Sequence, residues 1–282
     1  MVLKYCSKLK RDSIFKFILY IILLIGAFIS IFPLLWMFFS SFKTPAEVMA
    51  YPPTVIPKNP TIQNYRELFT RMNFGIYIRN SIFIVLVKTS IILYTSALVG
   101  YVLGKIKFWG RNLIFISILA TMMIPWPVVI IPLYQLMLKF KWVNTYWSII
   151  VPSVFSTFGI FMMRQFVITI PDDLVDAARI DGASQFRIFH SIILPQLTPA
   201  LSALGIFNFL FIWDDFLWPY IMLIDEKLYT IPIGLALFTG RYYVNTAGFL
   251  AGASLAVMPV LIFYMLCQRR FVEGMTFTGM KE

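Results

Sequence analysis

Residues 171–195 read PDDLVDAARIDGASQFRIFHSIILP and form the core of the longest polar stretch, 169–196, in an otherwise apolar part of the chain. Pro171 suits a first helical turn, and Asp172 and Asp173 complement the positive end of a helix. Leu174, Ala177 and Ala178 share one narrow face of small side chains, which lets a groove in a partner approach the backbone closely. Gly182 can take positive φ and end the first helix, and Ser184 can cap the next. Phe186, Phe189, His190 and Ile193 then recur at helical spacing, and Pro195 closes the element. The reading is two short helices joined at a bend, amphipathic and lying along a membrane face. On residues alone, a docking element and a plain surface helix both remain open.

Working outward, this stretch is flanked by long apolar segments at 145–166 and 198–223, with others at 17–39, 80–103, 113–138 and 248–267. Of 282 residues, 60% are hydrophobic and only 13% charged. That is about half the usual charged share, too little to cover a water-soluble globule. Mean hydropathy is +0.81. The expectation is an all-α integral membrane protein with six transmembrane helices. The first run is too long for a signal-peptide core and no small-x-small cleavage site follows it, so it reads as an uncleaved span. The organisation expected is a tail (1–16), a membrane domain (17–268) with an outer loop at 43–77, and a second tail (269–282). Pro45, Pro52, Pro53, Pro57 and Pro60 keep 43–77 largely irregular, with one short helix from Thr61. Segment 224–247 reads as another outer loop. Pro125, Pro127 and Pro132 break the third segment, as a hinge or gate or as a static kink.

The formal charge is +11, from 24 Lys+Arg against 13 Asp+Glu. In a membrane chain this reflects cationic inner loops and not a nucleic-acid partner. Fourteen of the cations fall in the two tails, the 104–112 turn and the 164–195 loop, and nine on the other side. The turn with Lys105, Lys107 and Arg111 contains no acid, so both termini are expected in the cytoplasm. Cys6 and Cys267 form no CxxC pattern, and His190, the single histidine, cannot build a metal site alone.

Ionisable groups inside spans point to function by default. Counting 1.5 Å per residue, Lys88 and Asp215 each lie about 12 Å from the outer ends of their segments. They are expected to pair or to line one wet cavity, unless Lys88 snorkels to the interface. Ser81 and Thr95 share the Lys88 face; Ser202, Gly205 and Asn208 continue the Asp215 stripe. Lys88, Asn208 and Asp215 are the candidates for a translocation path. Trp213, Phe216, Trp218 and Tyr220 either stack on sugar rings or serve packing and the interfacial belt.

The string Asp176-Ala177-Ala178-Arg179-Ile180-Asp181-Gly182-Ala183, with Phe189, Ile193, Leu194 and Pro195 downstream, resembles the EAA loop of ABC importer permeases, more narrowly the MalG-like permeases of carbohydrate importers. The resemblance covers nearly the whole chain: Asn64-Tyr65-x-x-Leu68-Phe69, Trp213-Asp214-Asp215-Phe216-Leu217-Trp218-Pro219, Pro259, and Gln268-Arg269-Arg270-Phe271-Val272-x-Gly274. Two departures are Asp176 where the family usually has Glu, and an end at Gly279-Met280-Lys281-Glu282 where a Gly after Lys is more usual.

The resemblance implies a six-helix permease fold in a bacterial or archaeal cytoplasmic membrane, with a coupling helix docked on a cytoplasmic ATPase dimer. It assigns that coupling to Asp176, Ala177, Ala178, Asp181, Gly182, Ala183, Phe189 and Pro195. It further implies a second homologous permease, a lipid bilayer around both, and an extracytoplasmic sugar-binding protein meeting the outer loops. The chain has no G-x-x-x-x-G-K-[ST] string, so ATP and Mg are expected on the partner and no cofactor on this subunit. A secondary transporter or channel is the alternative, but it leaves 169–196 without a role. A membrane enzyme would want clustered acids or metal ligands, which the sequence lacks.

Overall fold

The structure, a computed structural model, describes the backbone of residues 2–240 and 245–279 and the side chains of 15–238 and 245–267. The side chains of Lys4, Cys6, Lys8, Lys10, Arg11 and the 268–274 motif, and the whole of Arg241 and of residues 280–282, lie outside that description. Every described element is helical. The chain forms two units, Met1–Met72 with Phe238–Leu255, and Asn73–Leu237 with Ala256–Glu282.

In the first unit, α1 (Val2–Ser41) precedes two short helices, α2 (Pro45–Val48) and α3 (Gln63–Arg71). The most apolar eighteen residues of the 27-residue stretch Phe15–Ser41 include none that is buried. At 1.5 Å per residue the whole stretch reaches about 40 Å, enough to cross a hydrocarbon layer. Its end is tied by α3: Asn64 donates from Nδ2 to the carbonyls of Ser41 (2.7 Å) and Lys43 (2.8 Å), and the Tyr65 hydroxyl meets Ser41 Oγ at 2.7 Å. Lys43 is buried; its ammonium donates to Ser40 Oγ and the Thr54 carbonyl and sits 4.6 Å over the Trp36 ring. The helix expected from Thr61 is therefore α3, and the proline-rich segment is held by defined polar bonds.

The second unit is organised on α4 (Phe74–Lys105). There follow α5 (Arg111–Ala120), α6 (Trp126–Lys139), α7 (Tyr146–Ile150), α8 (Thr157–Thr169), α9 (Asp172–Ile180), α10 (Gln185–Ile188), α11 (Leu194–Gln196), α12 (Thr198–Trp213) and α13 (Leu217–Met222). Then come α14 (Ile231–Gly240) and α15 (Thr246–Gly279). α8 packs most extensively on α4, and α12 next. Ser96, Gly100 and Gly104 repeat every four residues on α4, the small-residue row that lets membrane helices approach closely. A methyl group added at Gly100 would lie 2.7 Å from Met163 Cβ and 2.9 Å from the Arg164 nitrogen.

Among the described residues, four helical stretches are long and apolar enough to span: Phe15–Ser41, Phe74–Lys105, Tyr146–Thr169 and Thr246–Cys267. Two further candidates are bent pairs, Arg111–Met123 with Trp126–Lys139 at 103°, and Gln185–Gln196 with Thr198–Trp213 at 75°. The third apolar segment thus turns a corner, which is more than a kink. Pro125 forces Ile124 into extended backbone (φ −85°, ψ 115°), and Pro127 then starts α6 in its first turn. The fifth segment is not continuous to Leu223 either. α12 stops at Trp213, because Pro219 in a straight helix would collide with the Asp215 carbonyl. The expected loop 224–247 holds a helix, α14, whose Ile231 and Ile233 are buried.

Candidate functional site

The polar stretch folds as two helices at a bend. Pro171 sits one place earlier than expected, as the extended residue (ψ 136°) before α9. Gly182 takes φ +79°. Its N–H reaches the Arg179 carbonyl (3.0 Å) and the Ala183 N–H reaches Ala178 (2.9 Å), the paired bonds of a Schellman ending. Ser184 caps α10 through Arg187 N. A π-turn, Phe189–Ile193, follows, with Leu194 N–H bonded to the Phe189 carbonyl. Pro195, which offers no N–H and crowds the carbonyl four residues back, stands at its exit.

The two faces of α9 differ. Val175 and Ala178 are buried, while Asp173, Leu174, Asp176, Ala177, Ile180 and Asp181 are exposed, Ile180 at 87%. Ala178 therefore does not share an outward face with Leu174 and Ala177. Phe189 is wholly buried with Ile188 and Ile193, so among the expected coupling residues it and Ala178 fasten the loop from inside. Asp176 accepts from Arg179 Nη1 at 2.8 Å, and Asp181, Gly182 and Pro195 are exposed.

The inner face joins a core with Ala97 and Tyr101 of α4, Met163 and Val167 of α8, and Leu204 of α12. Polar bonds reinforce it. Lys105, in the last turn of α4, donates to the Ile170 carbonyl and to Asp172 Oδ1 at 2.5 Å. The Tyr101 hydroxyl donates to Gln185 Oε1 at 2.6 Å, and Tyr94 Oη lies 3.3 Å from His190 Nε2. The Lys105 hydrogen bond holds the Asp172 carboxyl below its usual pKa. One helix thus carries the loop at several points, and a displacement of the loop reaches α4 directly.

The second group lies further along α4. Lys88 is buried, and its Nζ stands 3.8 Å from Asp215 Oδ2. Both face an open cleft of about 280 Å³ that Asn208 also lines. The structure therefore brings Lys88, Asn208 and Asp215 together, although Asp215 sits in the α12–α13 break and not on a helix. Ser202 and Gly205 line a different cleft, with Phe209 and Phe263. Trp213 and Trp218 are buried and donate to the carbonyls of Ala256 (3.1 Å) and Ser148 (2.8 Å), so they pack. Phe216 and Tyr220 are exposed and stack on each other, with ring centres 5.1 Å apart.

Three features escaped sequence reasoning. Ile180 is the most exposed apolar residue of the loop, yet its neighbours do not single it out. The small-residue row on α4 was visible as the spacing Ser96-x3-Gly100-x3-Gly104. Asn80 is a buried clasp: it donates to the carbonyls of Lys227 (2.8 Å) and Tyr229 (2.9 Å) and accepts from the Tyr146 hydroxyl (2.8 Å).

Residues 96–277 match the family model described as the binding-protein-dependent transport system inner membrane component. An arabinooligosaccharide transport permease of Halalkalibacterium halodurans is 37% identical over 277 residues, 97% of this chain and 99% of that one. A trehalose/maltose transport permease of Thermococcus litoralis is 30% identical, over 96% and 99%. A bacterial ABC transporter for the import of the acidic polysaccharide alginate contains a chain of the same fold, with TM-score 0.81 and 22% identity over 92% of this chain and 97% of that one.

Proposed function

The chain belongs to the family of binding-protein-dependent transport system inner-membrane components, and from that premise we propose how it works as the permease subunit of a carbohydrate ABC importer. It is a multi-pass protein of the cell membrane, here assigned to the cytoplasmic membrane of a bacterium or archaeon. It crosses the bilayer six times with both termini inside, counting each bent pair as one span. The 171–195 element docks on a cytoplasmic ATPase dimer that carries ATP and Mg. A second, homologous permease completes the pathway, and an extracytoplasmic sugar-binding protein delivers the solute. The relatives named for arabinooligosaccharide and for trehalose/maltose transport argue for an oligosaccharide.

The observation that carries this reading is the two-sidedness of α9. Its inner face is locked to α4 by Lys105, Val175 and Ala178, and its outer face presents Leu174, Ala177 and Ile180 between Asp173 and Asp181. An exposed apolar stripe rimmed by acids is poorly placed in water and well suited to a partner groove. ATPase closure then pushes α9, and the push passes through Lys105 and Tyr101 into α4, which bears Lys88 on the pathway.

Mild-detergent affinity purification from the native membrane tests the assembly. An ATPase and a second multi-span protein are expected with the chain in fixed ratio. A homo-oligomer that still transports solute without an ATPase would overturn the proposal.

A further inference from the structure

The Lys88–Asp215 cleft has a composition that an ion pair alone does not require. The 3.8 Å separation exceeds the span of about 2.7–3.2 Å for a direct hydrogen bond, so each charge keeps bonding capacity for a third group. Asn208 gives one amide hydrogen to the Leu204 carbonyl (3.0 Å), leaving its other N–H and its Oδ1. Two phenyl rings flank this polar group, Phe155 (67% exposed) and Phe211 (75% exposed). The side chain of Asp215 is 29% exposed. A carboxylate open to hydrocarbon is too costly, so the cleft faces water or a partner subunit and not lipid.

We propose that this cleft is a sugar-contact site on this subunit, taking one neutral ring at a time; the proposal rests on the importer reading above. A hydroxyl group both donates and accepts, so one placed between the charges donates to Asp215 and accepts from Lys88. Asn208 offers the same pair of functions to a neighbouring hydroxyl. The apolar C–H face of the ring lies against Phe155 or Phe211, which have flat apolar surfaces to offer. A carboxylate fits less well than a hydroxyl, because it only accepts: it can bond Lys88, but it offers Asp215 no hydrogen and meets it with like charge. The cleft volume of about 280 Å³ lies just below the usual range of ligand sites, about 300–1,000 Å³, as suits brief occupation by one ring of a passing solute.

The test places a reporter thiol at Ser153, which lines the cleft. Ser153→Cys is made with Cys6→Ser and Cys267→Ser, and the whole transporter is reconstituted in nanodiscs. The rate of labelling by a charged methanethiosulfonate is measured with arabinotriose, maltotriose or trigalacturonate. A neutral trisaccharide is expected to slow labelling about ten-fold at ten times its Kd, while trigalacturonate leaves the rate unchanged. Phe211→Ala is expected to raise the half-protecting concentration by up to about ten-fold. Unchanged labelling in a transporter that still imports sugar would overturn the site and leave the importer reading standing. Equal protection by trigalacturonate would overturn its neutrality. Protection without ATP-driven import would keep the site and overturn the importer reading.

Discussion

The ammonium of Lys105, in the last turn of α4, lies 2.5 Å from the Asp172 carboxylate in the first turn of α9. The same ammonium bonds the Ile170 carbonyl, so one side chain joins the 32-residue helix α4 to both sides of Pro171.

This contact has a pH dependence of known sign. The Asp172 pKa is lowered, first by the hydrogen bond from Lys105 and then by its charge. A depressed carboxyl pKa means that the contact is complete above the ordinary Asp value, about 3.9, and is lost as pH falls through the lower folded value. Lys105→Met is expected to return the Asp172 titration toward the ordinary value, read by carboxyl NMR of selectively labelled protein. It is also expected to lower sugar import several-fold while the protein still folds.

Gly182→Ala tests the bend between the two short helices. No atom lies within 4 Å of the added methyl, so the only cost is left-handed backbone at φ +79°, about 1–2 kcal/mol. Local hydrogen exchange in α9 and α10 is expected to rise, with global unfolding little changed.

Gly100→Val tests the α4–α8 contact. The new side chain meets Met163 Cβ and the Arg164 backbone, which cannot move aside as a flexible side chain would. Overpacking of about 1–3 kcal/mol or more is expected, seen as a lower thermal midpoint in detergent.

Asn80→Leu tests the clasp at the other part of α4. Two carbonyls and the Tyr146 hydroxyl lose the buried Asn80 amide, in bonds that are themselves part-buried. A cost of about 1–3 kcal/mol per unsatisfied group bounds the effect, and protease cleavage is expected to appear at 225–229.

What the sequence made legible was governed by local chemistry. Gly182 and Ser184 end and start helices by their own backbone preference and side-chain reach, and both do so as expected. Lys88 and Asp215 were matched in depth by counting rise per residue, and they do meet. The failures came from tertiary effects. Which side of α9 turns inward depends on α4 and α8, so Ala178 looked grouped with Leu174 and Ala177 when it is buried. The 103° corner at Pro125 exceeds what proline alone specifies. α14 was missed because a short apolar run beside charged residues resembles a loop until Tyr77 is seen packed against Gly234.

Docking of α9 on an ATPase is the central claim, and Ile180 tests it most directly. It is 87% exposed and supports no contact within its own core, so Ile180→Asp leaves the fold intact. The measurement is binding of the purified ATPase to the permease complex in nanodiscs, wild type against Ile180→Asp. Burying a new carboxylate in an apolar groove is expected to weaken binding at least about ten-fold, since each 1.4 kcal/mol is a factor of ten. Unchanged ATPase affinity in a correctly folded variant would contradict the account.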